Sequence, residues 1–202
     1  MWFAVGTFLV ASTLIVLLPG PDTLVVLRGL VRGGRRQAVT TVLGVLCGLS
    51  VWAGAAALGL SELLQASRVG YDVLRIGGAA YLIWLGVVSL RARREAGRLD
   101  PPRRTLGSGF AAGLLTDLLN PKVGVFFVTF LPGFLPDGYP VAATSLMFGT
   151  IFVALTALYF AVLLRLATRI TGWMAIPRIR RRLDAITGSI LIALGIRLAL
   201  EP

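Results

Sequence analysis

Three ionisable side chains, Asp22, Asp117 and Lys122, lie within long apolar stretches of the sequence. A charge at the centre of a membrane helix costs about 2.5–3.5 kcal/mol on insertion scales, so such residues indicate function by default. Lys122 is the one lysine of a chain that otherwise uses nineteen arginines. Because an ammonium group is compact and can lose its proton when buried, it suits binding or coupling chemistry.

Asp22 and Lys122 together could hold a zwitterion, with the substrate ammonium on Asp22 and the substrate carboxylate on Lys122. The sequence leaves other roles open. Asp22 could only cap its helix, because an acid is favourable at a helix start, and Lys122 could belong to a structural ion pair. Asp117 could neutralise Lys122 when no substrate is bound, or it could carry a coupling proton.

Two helix-breaking motifs precede the charged positions. The first reads LLPGPD and contains Pro19, Gly20, Pro21 and Asp22. The second reads LLNPK and contains Asn120, Pro121 and Lys122, which align with residues 20–22 at an offset of 100. Asn is a favoured N-cap and Pro is favoured at the first helical position, so each break is expected to start a new half-helix. The N–H groups at such a start favour an anion. Paired breaks in corresponding helices indicate the binding site of a transporter.

The composition predicts an all-α, polytopic membrane protein. Of the 202 residues, 56% are hydrophobic and 14% are charged, and the mean hydropathy is +0.85. Soluble domains are about 45–50% apolar and about 25% charged. A helical span needs roughly 20 apolar residues. Six spans are predicted, at about 2–28 (broken near 20), 38–60, 71–90, 107–131 (broken near 120), 141–164 and 183–200.

The first apolar run lacks the basic segment of a signal peptide, so we expect it to remain as a span. The net charge of +11 follows a membrane-topology pattern, and no nucleic-acid partner is expected. Sixteen arginines lie in three segments, at 28–36, 91–104 and 165–182, on every second connection. The positive-inside rule places these segments in the cytoplasm, where they also meet anionic lipid, and both termini on the periplasmic side. One transmembrane domain, 1–202, then consists of two inverted three-helix repeats, about 1–95 and 105–202.

Small and hydroxylated residues mark other helix faces. Gly44 and Gly48 form a GxxxG pattern that we interpret as close helix packing. Such faces permit a homodimer without requiring one. We expect Tyr159 at a membrane interface rather than in a cavity. The hydroxyls of the fifth span could line a path or bond back to their own helix, and they belong to Thr144, Ser145, Thr150 and Thr156.

Other classes of function have little support in the sequence. Cys47 is the one cysteine, which excludes an internal disulfide, and without histidine a soft-metal site is not expected. No nucleophile–base pair supports an enzyme. We therefore predict no catalytic residue, no metal and no cofactor. A passive channel or an exporter of another small metabolite stays open as an alternative, because sequence shows neither energetic coupling nor the identity of the substrate.

The motifs closely resemble those of the lysine/homoserine/threonine exporter family (LysE/RhtB type) over nearly the whole chain. The stretches concerned are LLPGPDTLVVL at 17–27, LRIGGAAYLIWLGVVSLR at 74–91, FAAGLLTDLLNPKVGVFFVTFLPGFL at 110–135 and ITGSILIALGIRLAL at 186–200. The resemblance implies a small permease of the bacterial inner membrane that exports amino acids or close derivatives, driven by the proton gradient. It places residues 19–22 and 120–122 at the two signature positions of the family. Asp117 departs from the family, which often has a neutral residue there, so it could alter substrate charge preference or coupling.

Overall fold

The computed structural model describes residues 1–66 and 108–166 continuously, and scattered residues within 73–91 and 182–200. The two continuous parts are helical and contain no strand. Their helices are α1 (Trp2–Leu17), α2 (Pro21–Ala66), α3 (Phe110–Leu118), α4 (Pro121–Val125) and α5 (Val141–Arg165). The chain continues from α4 through a π-helical turn at Phe126–Phe130 and a 3₁₀ turn at Leu131–Phe134.

A two-residue bend divides α2 into a first arm, residues 21–32, and a second arm, residues 35–66. Gly33 and Gly34 leave the helical conformation, and the φ of Gly34 is 65°. This is the left-handed region that glycine enters without a steric cost. Only these two glycines leave the helix, so most of the basic segment at 28–36 is helical.

Close helix contacts follow from the small residues of α2 and α3. Gly29 of the first arm lies against Thr41 of the second, so the chain reverses at the bend. A Cβ added to Gly44 would overlap the carbonyl oxygen of Phe110, and one added to Gly113 would overlap the carbonyl oxygen of Thr41. The backbones of α3 and the second arm are thus in direct contact, which confirms the close packing predicted for the GxxxG pattern.

A phenylalanine core joins α1, the π-helical turn and α5. Phe8 stacks on Phe148 with ring centroids 4.5 Å apart, and Phe126 stacks on Phe152 at 4.2 Å. All four rings are buried. Because each aromatic pair contributes about 0.5–1.5 kcal/mol beyond its area burial, the core holds the chain after the second break against α1 and α5.

Two described helical segments are long and apolar enough to cross a membrane by length and composition, Pro21–Gly59, which contains the bend at Gly33 and Gly34, and Val141–Arg165. A third crossing results if Phe110–Leu118 and Lys122–Phe134, which meet at 53°, form one broken span. The helix Trp2–Leu17 is apolar but shorter. The described chain is therefore an all-helical membrane protein.

The predicted fifth span at 141–164 is confirmed, as are the helix breaks near 20 and 120. The predicted third and sixth spans, at 71–90 and 183–200, lie mostly outside the described residues. The six-helix architecture of two inverted repeats, and with it the sidedness of the termini, therefore stays a prediction.

Candidate functional site

The first break leaves the end of α1 without helical partners. The helix ends at Leu17, and Leu18 has extended backbone dihedrals of φ −72° and ψ 111°. Pro19 has no N–H, and the next helix begins at Pro21. The carbonyl oxygen of Ile15 accepts the N–H of Leu18 at 3.3 Å. The other last carbonyl groups of α1 need a donor from elsewhere in the protein, since unpaired backbone groups are unfavourable in lipid.

Lys122, from the second break, supplies that donor. Its Nζ donates to the carbonyl oxygens of Ile15 at 3.2 Å and of Leu18 at 3.1 Å. A cation is favoured at a helix C-terminus, and a hydrogen bond that involves a charged group contributes about 1.5–3 kcal/mol. Gly20 lies beside this contact, and a Cβ added there would lie 3.4 Å from Nζ, an ordinary van der Waals distance. The sequence predicted an anion or a carboxylate as the partner of Lys122. The structure instead gives it the partially negative C-terminal end of α1.

The second break satisfies its own backbone groups. Asn120 has an extended backbone, with φ −79° and ψ 106°, and its Oδ1 accepts the N–H of Lys122 at 3.1 Å. Pro121 occupies the first turn of α4, where its missing N–H costs nothing. The N–H of Asn120 donates to the carbonyl oxygen of Asp117 at 2.9 Å. The predicted N-cap is therefore confirmed.

Asn120 also joins the two breaks to each other. Its Nδ2 donates to Oδ2 of Asp22 at 2.6 Å, across 98 positions of sequence. The other carboxylate oxygen of Asp22 is buried and has no hydrogen-bond partner among the described residues. Asp22 is thus held by one oxygen, and the second oxygen can accept a further donor.

A cavity opens between the two breaks, α2 and α5. It encloses about 350 Å³ of empty space, counting its open mouth. Asp22 and Lys122 both line it, together with the backbone of the first break at Leu18 and Gly20. The remaining lining is apolar or hydroxylated and consists of Ile15, Val16, Thr23, Leu49, Val123, Phe152, Thr156, Tyr159 and Phe160.

Three hydroxyl groups face this cavity. Tyr159 OH lies 3.2 Å from the hydroxyl of Thr23, so the tyrosine belongs to the cavity wall rather than to the expected interface. Thr156 lines the cavity while its hydroxyl donates to the carbonyl oxygen of Phe152 at 2.9 Å, as the bonding-back alternative predicted. The sequence missed Tyr159, since a tyrosine in an apolar helix is ambiguous until the facing helix is known.

Asp117 lies beside the cavity and does not line it. The residue is fully buried, and its side chain packs against Gly48 of the second arm. Neither carboxyl oxygen has a hydrogen-bond partner within the described part of the chain. Asp22 and Lys122 are the described charged groups that act electrostatically on its carboxyl group. The structure therefore brings all the predicted charged residues into one region, with only Asp22 and Lys122 at the cavity surface.

Comparison with known proteins identifies the family that the chain resembles. The family model described as "LysE type translocator" matches residues 13–202. No solved structure matches the chain.

Similar proteins cover the chain almost from end to end. The homoserine/homoserine lactone efflux protein of Salmonella typhimurium is 31% identical over 202 residues, which are 98% of this chain and 95% of that protein. The threonine efflux protein of Escherichia coli K12 is 32% identical over 195 residues, 91% of each chain. The uncharacterized membrane protein YrhP of Bacillus subtilis is 30% identical over 200 residues, 94% of this chain and 95% of that protein.

Proposed function

The chain belongs to the LysE type translocator family, and on that premise we propose that it exports a small neutral amino acid in exchange for protons. The family includes amino-acid efflux proteins, two of which carry the substrate names homoserine and threonine. We place the protein in the bacterial inner membrane.

The pairing of Asp22 with Lys122 on one cavity carries this proposal. Asp22 offers a buried oxygen without a partner, which can accept the ammonium group of a substrate. Lys122 has three N–H groups, of which two bind Ile15 and Leu18. The third can donate to a substrate carboxylate. An acid and a base that reach one cavity from opposite breaks are complementary to a zwitterion.

The charge of the lining favours a neutral amino acid over a basic one. One carboxylate and one ammonium line the cavity, so a zwitterion leaves no uncompensated charge there. A basic side chain would need a second acid, and Asp117 is held behind Gly48 outside the lining. The hydroxyls of Thr23 and Tyr159 provide partners for a hydroxylated side chain such as that of threonine or homoserine.

Proton exchange supplies a driving force that the substrate itself lacks. A zwitterion carries no net charge, so the membrane potential does no work on it when it crosses. Accumulation against a gradient therefore requires coupling to another solute. Two acids next to the substrate groups, Asp22 and Asp117, make the proton the coupled ion that this site supports best.

The test uses the full chain, purified and reconstituted in vesicles. Labelled L-threonine on one side is exchanged against unlabelled L-threonine, L-homoserine, L-lysine or L-glutamate on the other. We expect threonine and homoserine to exchange and the two charged amino acids to exchange at least about tenfold more slowly, because their extra charge would be unpaired. A pH gradient across the vesicle membrane should drive threonine to the acidic side, because each proton that leaves that side is exchanged for threonine that enters it.

Asp22→Asn is the matched variant for this test, since it keeps the side-chain shape and the bond to Asn120 while removing the charge that binds ammonium. Its apparent affinity for threonine should fall by about tenfold or more. An unchanged affinity would show that Asp22 only caps α2. If threonine equilibrates across the membrane in wild type but does not accumulate under a pH gradient, the protein is a passive channel. Preferred exchange of lysine would disprove the neutral-substrate assignment.

The proposed sidedness has its own test, which needs no transport. Single cysteines placed at Arg35 and at Asp137, in a Cys47→Ser background, are labelled in intact cells with a membrane-impermeant maleimide. The positive-inside rule predicts labelling at 137 and protection at 35. The reverse pattern would invert the orientation.

A further inference from the structure

Asp117 is a buried acid that the substrate contacts do not use. Its exposed fraction is 0%, and neither oxygen accepts a hydrogen bond from any described residue. A carboxylate without partners in such surroundings has a large uncompensated desolvation cost, whereas the neutral acid has only the smaller cost of an unpaired polar group. The observed packing is therefore compatible with a protonated Asp117 and strongly disfavours an ionised one.

The position of Asp117 connects this proton to helix packing. A Cβ added to Gly48 would meet the Oδ2, Cβ and Cγ atoms of Asp117, so the acid fills the space that the glycine leaves. Gly44 and Gly113 bring the same two helices into backbone contact nearby. If Asp117 lost its proton, its carboxylate would need water, and a separation of α3 from the second arm of α2 would admit water to it.

The position also connects the proton to the substrate groups. Asp22 and Lys122 are the charged groups whose fields act on Asp117. Asn120 donates its N–H to the carbonyl oxygen of Asp117 and its Nδ2 to Asp22. Movement of α3 therefore shifts Asn120, which holds one end of the substrate site, and Lys122, which follows two residues later.

We propose that Asp117 is the residue that binds the exchanged proton, and that the protonated acid holds α3 against the second arm of α2 with the substrate site closed. In this closed arrangement Asp22 is bound by Asn120 and Lys122 by Ile15 and Leu18. A bound zwitterion attracts Asp22 and Lys122 away from these protein partners, so substrate and proton favour different arrangements. By linkage each then weakens the binding of the other, which is the condition for antiport. The inference rests on the proposed proton exchange for its role in transport.

One proton is moved and no covalent bond changes. Asp117 takes the proton from water when its carboxylate faces the periplasm, carries it in the packed arrangement, and returns it to water on the cytoplasmic side. The substrate then binds to Asp22 and Lys122 and leaves in the opposite direction.

The first experiment detects the proton directly and does not depend on transport. Infrared spectra of the reconstituted protein at neutral pH are recorded for wild type, Asp117→Asn and Asp22→Asn. We expect the carbonyl-stretch band of a protonated carboxylic acid to lose intensity in Asp117→Asn and to persist in Asp22→Asn. An unchanged band in Asp117→Asn would overturn the proposal, because the acid would then be ionised at neutral pH.

The second experiment measures coupling as a ratio. L-Threonine accumulation under a pH gradient is divided by L-threonine exchange without a gradient, which also reports correct folding. In Asp117→Asn this ratio should fall at least about tenfold, because a group that cannot titrate cannot link the two fluxes. A ratio equal to that of wild type would overturn the coupling role. If wild type itself shows exchange without accumulation, the proposed antiport fails, while the infrared result still decides whether Asp117 holds a proton.

Discussion

The two helix breaks satisfy their backbone groups in opposite ways. At the second break Asn120 caps the new helix with its own side chain, and its N–H bonds to Asp117 in the preceding turn. At the first break Ile15 accepts the N–H of Leu18, but the carbonyl group of Leu18 depends on Lys122, more than 100 residues away, which also donates to Ile15. The second break is thus complete by itself, and the first break is complete only while the second stays next to it.

This asymmetry shows why the two breaks carry different residue types at matching positions. The acid of the first break, Asp22, stands at a helix start, where the partial positive charge favours it. Lys122 also stands at a helix start, which is unfavourable for a cation, but its Nζ reaches the C-terminal end of α1 instead. A substrate carboxylate that attracted Lys122 would leave the carbonyl group of Leu18 without its donor and that of Ile15 with only the N–H of Leu18. Substrate binding and the structure of the first break are therefore linked through one ammonium group.

The largest expected effect comes from Lys122→Ala, which removes this link. Truncating one partner of a buried charged contact costs about 2–5 kcal/mol, so threonine exchange should fall at least about 30-fold. The protein should still insert, since the apolar helices are unchanged. Exchange in vesicles and the amount of protein in the membrane fraction are measured together.

Lys122→Met and Arg165→Ala are the matched controls. Methionine has a similar length without the charge, so it should fail as alanine does, whereas Arg165 is an exposed cation at the end of α5 and its loss should matter little. Normal exchange by Lys122→Met would remove the ammonium from the mechanism.

The next effect tests what positions the second break. Gly44→Ala would push a methyl group into the backbone of Phe110, and overpacking of this kind costs about 1–3 kcal/mol. Gly54 on the same arm has no atom within 4 Å of an added Cβ, so Gly54→Ala should be neutral or slightly stabilising. Thermal unfolding in detergent compares the two variants. Equal melting temperatures would mean that α3 does not depend on this contact.

The side chain of Asn120 has two roles, the N-cap of α4 and the donor to Asp22, and two variants separate them. Asn120→Ala removes both the N-cap and the donor to Asp22, and it should lower stability by about 1 kcal/mol in addition to weakening exchange. Asn120→Asp keeps an N-cap acceptor but replaces the donor with a second acid next to Asp22. We expect Asn120→Asp to retain thermal stability and to lose exchange. Retained exchange would show that the bond to Asp22 has no part in transport.

The features that were predictable from the sequence are those set by neighbouring residues. Asn120 before Pro121 specifies an N-cap and a helix start through local backbone chemistry, and the structure has both. The small residues at Gly44 and Gly48 allow close contact whatever the partner helix is, and that contact was also expected. In each case the physical cause lies within one turn of helix.

The features that were missed depend on distant residues. The carbonyl partners of Lys122 belong to α1, and no local pattern indicates which helix end a buried lysine reaches. Likewise, the placement of Asp117 against Gly48 rather than on the cavity surface follows from how α3 lies on α2. These choices are made by tertiary packing, which residue types and spacing constrain only weakly.

Tyr159 is the clearest such case, and it yields the smallest of the expected effects. Its hydroxyl, 3.2 Å from that of Thr23, faces the cavity between the charged residues and α5. Tyr159→Phe removes one hydroxyl and should lower the preference for L-threonine over L-valine, which has a methyl group in place of the hydroxyl. A neutral hydrogen bond contributes about 0.5–1.5 kcal/mol, so the preference should fall by about two- to tenfold.

Competition of the two amino acids for threonine exchange measures this preference directly. Tyr139→Phe serves as the control, because Tyr139 is exposed and lies before the start of α5. A lower preference in Tyr159→Phe alone would place the substrate side chain between Thr23 and Tyr159, on the α5 side of the two breaks. If valine and threonine compete with the same ratio in both variants, the hydroxyl pair is structural, and selectivity resides in the shape of the apolar wall.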